Sequence, residues 1–234
     1  VLKTKKCRGL ENKCSCFLCL TSCLKKYTRG TIRPAATSIV KRYGRDPFLI
    51  LVSCVLSLRT RDSVSLPASI KLFEKYRTPQ DFVQACLSDI EQLIFPVGFY
   101  RQKAAQIKKL SSQLIHDFNN KVPATKEELL SLSGVGLKTA NLVLGVGFNV
   151  PAICVDTHVH RLSNQWGLVS TDTPEETEHE LKKIIPQDLW IEINEYMVMW
   201  GQFMCKSNTQ VCTKCKLLNV LCVKEKRTKK TTRV

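Results

Sequence analysis

Apolar positions along this chain recur at helical spacing, and capping signals stand ahead of one apolar stretch after another. Asp46-Pro47 opens a strongly apolar helix running through Leu58, with Asp as N-cap and Pro in the first turn. Asp62 is expected to cap the next, toward Tyr76, with Pro67 as a candidate kink, and Thr78-Pro79 repeats the cap-plus-proline device. Ser88 with Glu91, Thr125 with Glu128, and Thr173 with Glu176 each match the S/T-x-x-E capping box. After Gly98 the apolar spacing predicts a long amphipathic helix over about Tyr100 to Phe118. No segment sustains the alternation of a half-buried strand. The expected fold class is all-α, built from about ten short helices.

Two of these patterns, Thr125 to Leu132 and Leu137 to Phe148, are joined by Ser133-Gly134-Val135-Gly136, which reads as a helix-hairpin-helix. The glycines let the backbone turn sharply, and their bare N–H groups can meet one DNA phosphate without reading sequence. A tight turn between two packed helices would use both glycines equally well. The stretch Gly134-Val135-Gly136-Leu137-Lys138-Thr139 also approximates the end of a P-loop. That reading fails, because a P-loop needs glycine directly before its lysine and a strand ahead of it. Lys138 instead opens a helix, where the dipole's positive end and a partly dry site favour a neutral, nucleophilic amine. Asp156 follows eighteen residues later. Taken singly, Lys138 is an ordinary surface cation and Asp156 a cap for a helix beginning near Thr157.

Charge adds less than its total suggests. The 234 residues carry a formal +16, which favours a polyanionic partner, nucleic acid first. Residues 1–30 hold +7 of this and residues 224–234 another +5, leaving only +4 for the body of the chain. Both ends read as flexible, with residues 1–30 a Cys-rich basic extension expected to be disordered.

Twelve cysteines narrow the chemistry further. Cys54, Cys86 and Cys154 stand singly in apolar segments and read as buried thiols. Cys7, Cys14, Cys16, Cys19 and Cys23 crowd one end in a spacing that fits no metal motif. A disulfide scaffold is not expected beside an ordinary helical core. Phe17-Leu18-Cys19-Leu20-Thr21-Ser22-Cys23 loosely mimics an export signal, but its apolar run is short and interrupted. No apolar run is long enough to span a membrane. Cys205, Cys212, Cys215 and Cys222 form a compact C-x6-C-x2-C-x6-C loop, suited by spacing to either an iron–sulfur cluster or structural zinc.

Gly134-Val135-Gly136-Leu137-Lys138-Thr139-Ala140-Asn141 together with Val155-Asp156-Thr157-His158 resembles the endonuclease III family of DNA glycosylases, over about Asp46 to Cys222. The resemblance implies that Lys138 is the nucleophile and Asp156 the second essential carboxylate of a bifunctional glycosylase and abasic-site lyase. Adenine-removing relatives carry a small hydroxyl residue at the lysine position and a glutamate where this chain has Cys54. The resemblance also implies a four-iron, four-sulfur cluster on Cys205, Cys212, Cys215 and Cys222, although the last gap is one residue longer than usual. Family members fill the hole left by a flipped nucleotide with a polar and an apolar side chain, which map onto Arg59 and Phe99. Glutamine is common where Arg59 stands. DNA contacts are expected from Ser133, Gly134, Val135, Gly136, Arg59, Phe99 and Lys206, the last being the only charge between Cys205 and Cys212. His158 and Arg161, one helical turn apart, are further candidates.

The architecture so implied has residues 41–150 as a six-helix barrel containing the hairpin. Residues 31–40 and 151–234 would form an iron–sulfur domain, with the active site in the cleft between, Lys138 on one wall and Asp156 on the other. The expected protein is a monomer, intracellular and DNA-associated. Its expected partner is double-stranded DNA with oxidised or ring-saturated pyrimidines, such as thymine glycol, or abasic sites. A monofunctional mismatch or alkylation glycosylase, or a non-catalytic DNA-binding protein with a structural metal, are the competing readings.

Overall fold

The computed structural model describes residues Lys13–Lys206 and Leu217. Among these the regular structure is entirely helical. In chain order the α-helices are α1 (Lys13–Tyr27), α2 (Ala35–Tyr43), α3 (Pro47–Ser57), α4 (Asp62–Lys75), α5 (Pro79–Gln84) and α6 (Leu87–Ile94). They continue with α7 (Tyr100–Asp117), α8 (Lys126–Ser131), α9 (Leu137–Leu142), α10 (Thr157–Gln165), α11 (Pro174–Ile184) and α12 (Trp190–Met199). Two π-helical turns, Val143–Gly147 and Trp200–Met204, extend α9 and α12, and a 3-10 turn, Gln187–Leu189, precedes α12.

The chain divides into two compact units, Ile32–Cys154 and a second made of Val1–Thr31 with Val155–Val234. In the first, α3 is apolar on every side, and such a helix is stable only where neighbours cover it all round. Every residue from Phe48 to Leu56 is buried, with α2, α4, α7, α9 and the first π turn packed around the helix. Asp46 fixes its start, its carboxylate accepting from Phe48 N at 2.9 Å and Leu49 N at 3.2 Å. The long helix after Gly98 runs Tyr100–Asp117 and buries Ala104, Ile107, Leu110 and Leu114 on one face, spaced by three or four residues. In the second unit α12 packs against α1 and α10, and α10 against α11.

Four expectations need correction, the first being Cys86, read as a buried thiol but exposed at the N-cap of α6. The extension expected to be disordered contains α1, with Phe17, Leu20 and Leu24 buried; their three- and four-residue spacing is one apolar face hidden among cysteines and lysines. The segment 31–40 does not belong with the second unit. It supplies most of α2, whose Ala36 and Ile39 join the core around α3. Two caps also differ: Asp62 lies inside the first turn of α4 behind Arg61, and α6 starts at Leu87 behind Cys86, so neither Asp62 nor Ser88 is an N-cap. Thr78 and Thr173 do form capping boxes, and Thr125 accepts from Glu128 N. No helix among the described residues is long and apolar enough to cross a membrane.

Candidate active site

The hairpin between α8 and α9 is held on its outer side by α7. Gln106 Nε2 donates to Gly134 O at 3.1 Å, Gln113 Oε1 accepts from Ser133 N at 2.9 Å, and Gln113 Nε2 donates to Ser131 O at 3.2 Å. Val135 N closes the turn on Leu132 O at 3.1 Å. The N–H groups of Ser133 and Val135 are therefore engaged. Gly134 and Gly136 keep backbone N–H groups with no hydrogen-bond partner among the described residues. Both residues are exposed, and the unsatisfied first-turn donors of α9 add to the same electropositive end.

Gly134 has φ +74°, and a Cβ there would stand 2.1 Å from Gln106 Nε2. Gly134→Ala must both adopt a left-handed backbone and dislodge Gln106. It is expected to lower stability by about 1–2 kcal/mol and to weaken DNA affinity, checked by urea unfolding and duplex titration at fixed salt.

Lys138 is exposed in the second position of α9, which begins behind Gly136. Its carbonyl accepts from Cys154 Sγ at 3.3 Å, and buried Asn141 donates to Ile153 O at 3.1 Å, so Ile153 and Cys154 are bonded to α9. Cys54 is buried. Burial is the main force pushing its thiol well up, Cys154 adds to it, and the Lys138 charge opposes it. A protonated thiol offers no carboxyl group for acid–base work there.

Arg59 and Phe99 share an unusual backbone state. Arg59 has φ 51° and Phe99 φ 59°; every other non-glycine residue with positive φ among those described is an asparagine. Asparagine tolerates this region, whereas arginine and phenylalanine are strained in it. Both are exposed, Phe99 to 56% despite its apolar ring. Between them lies a residue that sequence reasoning missed. Lys103, only 5% exposed, donates from Nζ to Leu56 O at 2.9 Å, Leu58 O at 2.5 Å and Thr60 Oγ1 at 3.0 Å. Burial draws its ammonium down to about 8, so at neutral pH it keeps the three protons these acceptors use.

In the second unit Asp156 is the N-cap of α10, its Oδ1 accepting from His158 N at 2.9 Å and Val159 N at 2.8 Å. Its carboxylate is thus fixed at the positive end of a nine-residue helix. The Gly201 backbone lies hard against His158, leaving no room for a Cβ. Arg161 reaches Cys205, donating to its carbonyl and, at 3.6 Å, to its sulfur; Gln165 Nε2 approaches that sulfur at 3.8 Å. His158 and Arg161, both half-buried, are thus placed beside Gly201 and Cys205 respectively. Lys206 is exposed. Cys212, Cys215 and Cys222 lie outside the described residues, and no group of three metal-ligating side chains gathers among the described ones.

The family model of HhH-GPD superfamily base excision DNA repair proteins matches residues 52–187, a span that holds the hairpin, Lys138 and Asp156. The chain belongs to this superfamily. Within it, the chain is 52% identical over 193 residues to Endonuclease III of Thermotoga maritima, covering 80% of this chain and 91% of that one. Identity to Endonuclease III of Bacillus subtilis is 38% over 186 residues, with 79% and 85% covered. Among solved structures, a trapped covalent intermediate of Endonuclease III with DNA matches with a TM-score of 0.77 at 38% identity, over 91% of this chain and 96% of that one. The helical fold of this HhH-GPD chain is that of its relatives.

Proposed function

We infer that the chain is a DNA glycosylase and abasic-site lyase that removes oxidised or ring-saturated pyrimidines from double-stranded DNA. One observation carries this reading: an exposed lysine opens the helix behind a hairpin whose free glycine N–H groups suit a phosphate. The covalent Endonuclease III–DNA intermediate supports it, since such a bond requires a nucleophile on the protein. In the mechanism proposed, the damaged nucleotide leaves the stack, most readily when it pairs or stacks poorly. Lys138 Nζ attacks C1′ of the sugar, and the bond to the base breaks with its electron pair leaving on the base. The sugar ring opens to a protonated Schiff base, which acidifies the C2′ proton; its loss expels the 3′ phosphate. Hydrolysis then frees Lys138. Asp156 is assigned to stabilising the cationic sugar, to accepting the Lys138 proton, or to both. Arg59 and Phe99 occupy the gap left in the duplex, Arg59 donating to the orphaned base or a phosphate and Phe99 entering the stack.

The cofactor assigned to the chain is a four-iron, four-sulfur cluster held by Cys205, Cys212, Cys215 and Cys222. The surroundings of Cys205 fit this: two N–H donors, one of them a guanidinium, aimed at one sulfur suit a thiolate ligand. The four cysteines would hold the cluster, whose contribution there would be structural, tying Cys205 and the adjoining Lys206 to the later cysteines. Protein purified without oxygen is expected to be yellow-brown with broad absorbance in the blue, and Cys205→Ala to lose most of it. A colourless, zinc-loaded protein would remove the cluster.

A set of duplexes, each with one defined lesion, tests the function. Base release with strand cleavage at oxidised pyrimidines is expected. Release without cleavage would identify a monofunctional glycosylase, and binding without release a non-catalytic protein.

A further inference from the structure

Lys103 has no place in the chemistry above, yet it is a buried cation whose every proton is committed. We propose that Lys103 is a positioning residue that locks Arg59 and Phe99 into one rigid device for filling the gap left by an extruded nucleotide. This rests on the assignment of those two side chains to the gap.

The acceptors of Lys103 bracket Arg59. Leu56 O and Leu58 O lie before it and Thr60 Oγ1 after it. A lysine that merely closed the end of α3 would need only the carbonyls; the third bond passes beyond Arg59 to the residue that follows it. The strain of a left-handed arginine must be balanced by what surrounds it, and these flanking bonds hold the loop in that state. The backbone of Lys103 acts on the other side. Its N–H donates to Phe99 O at 3.0 Å, one turn back, where Phe99 caps α7 in the same left-handed state. Gly98 completes the join: a Cβ there would lie 3.2 Å from Thr60 Oγ1 and 3.4 Å from Arg59 O, so the two loops touch through backbone. One residue thus fixes both exposed side chains relative to each other.

The test uses the full chain and two substrates: a duplex carrying thymine glycol, measured in a single turnover, and a single-stranded oligonucleotide with a preformed abasic site. Only the duplex has a gap to fill. Lys103→Met is expected to slow duplex excision by about 10- to 100-fold while single-strand cleavage stays within about twofold. In an Arg59→Ala/Phe99→Ala background the same change is expected to cost less than about threefold, because its effect passes through those residues. Thr60→Val keeps Lys103 and the two carbonyl bonds. It is expected to show the same duplex-selective loss at a few-fold, and it decides the matter should Lys103→Met fail to fold. Equal losses on both substrates, or an undiminished loss in the double-alanine background, would overturn the proposal. If Arg59→Ala/Phe99→Ala itself leaves duplex excision unchanged, the gap-filling assignment falls and this proposal with it, while the Lys138 chemistry stands.

Discussion

Lys138→Gln is expected to abolish the adduct that borohydride traps on damaged duplex and to reduce strand cleavage by roughly 10³-fold or more. The adduct is a reduced Schiff base, and an amide cannot form one. The substitution isolates chemistry from folding for a structural reason. Lys138 is exposed in the first turn of α9, and glutamine has nearly the same length and helix propensity. The melting temperature should therefore stay within the small range of a surface change. Some base release can persist through attack by water, so scission and release are to be measured separately. An adduct surviving in the Lys138→Gln protein would transfer the nucleophile to another residue.

Asp156 caps α10 and is proposed to act on the cationic sugar, and two substitutions separate these roles. Its Oδ1 accepts from two backbone N–H groups at the start of α10, and asparagine, also a strong N-cap, preserves that acceptor. Asp156→Asn should fold with nearly unchanged stability while excision falls by roughly 10²- to 10⁴-fold, because a neutral amide neither stabilises a cationic sugar nor accepts a proton. Asp156→Ala loses the cap as well and should cost about 1 kcal/mol in addition, read by urea unfolding. Equal activity in Asp156→Asn and the parent would reduce Asp156 to a cap and nothing more.

The features legible from residues alone are the ones set by short-range chemistry. Asp46-Pro47, Thr78-Pro79 and Thr173 with Glu176 announce helix starts because donor and acceptor lie within four residues of each other. The hairpin and the helix following Gly98 are legible for the same reason. Ser88 and Asp62 mislead because a good capping residue one or two positions inside a helix looks the same in sequence as one at its start. The face of α1 is obscured by composition, since cysteine, threonine and serine, together with a second leucine, occupy the positions between Phe17, Leu20 and Leu24. Lys103 is illegible on different grounds. On an amphipathic helix a lysine reads as solvated, and the backbone carbonyls that bury it come from residues 45 and 47 positions away. Separations of 28 and 20 positions likewise hide Gln106 and Gln113, whose partners lie on the hairpin.

Those two glutamines give α7 a further consequence. Phe99 stands at one end of the helix, Gln106 holds Gly134 two turns along, and Gln113 holds Ser133 two turns beyond that. At about 1.5 Å per residue these points lie roughly 10 and 21 Å along the axis, and a helix does not stretch. With the hairpin and Phe99 in the DNA roles proposed for them, the element would work as a ruler, setting how many nucleotides separate the clasped phosphate from the step that the ring of Phe99 enters. Insertion or deletion of one residue between Phe99 and Gln106 would turn the scale by about 100° and misalign the two marks, whatever became of the side chains that do the chemistry.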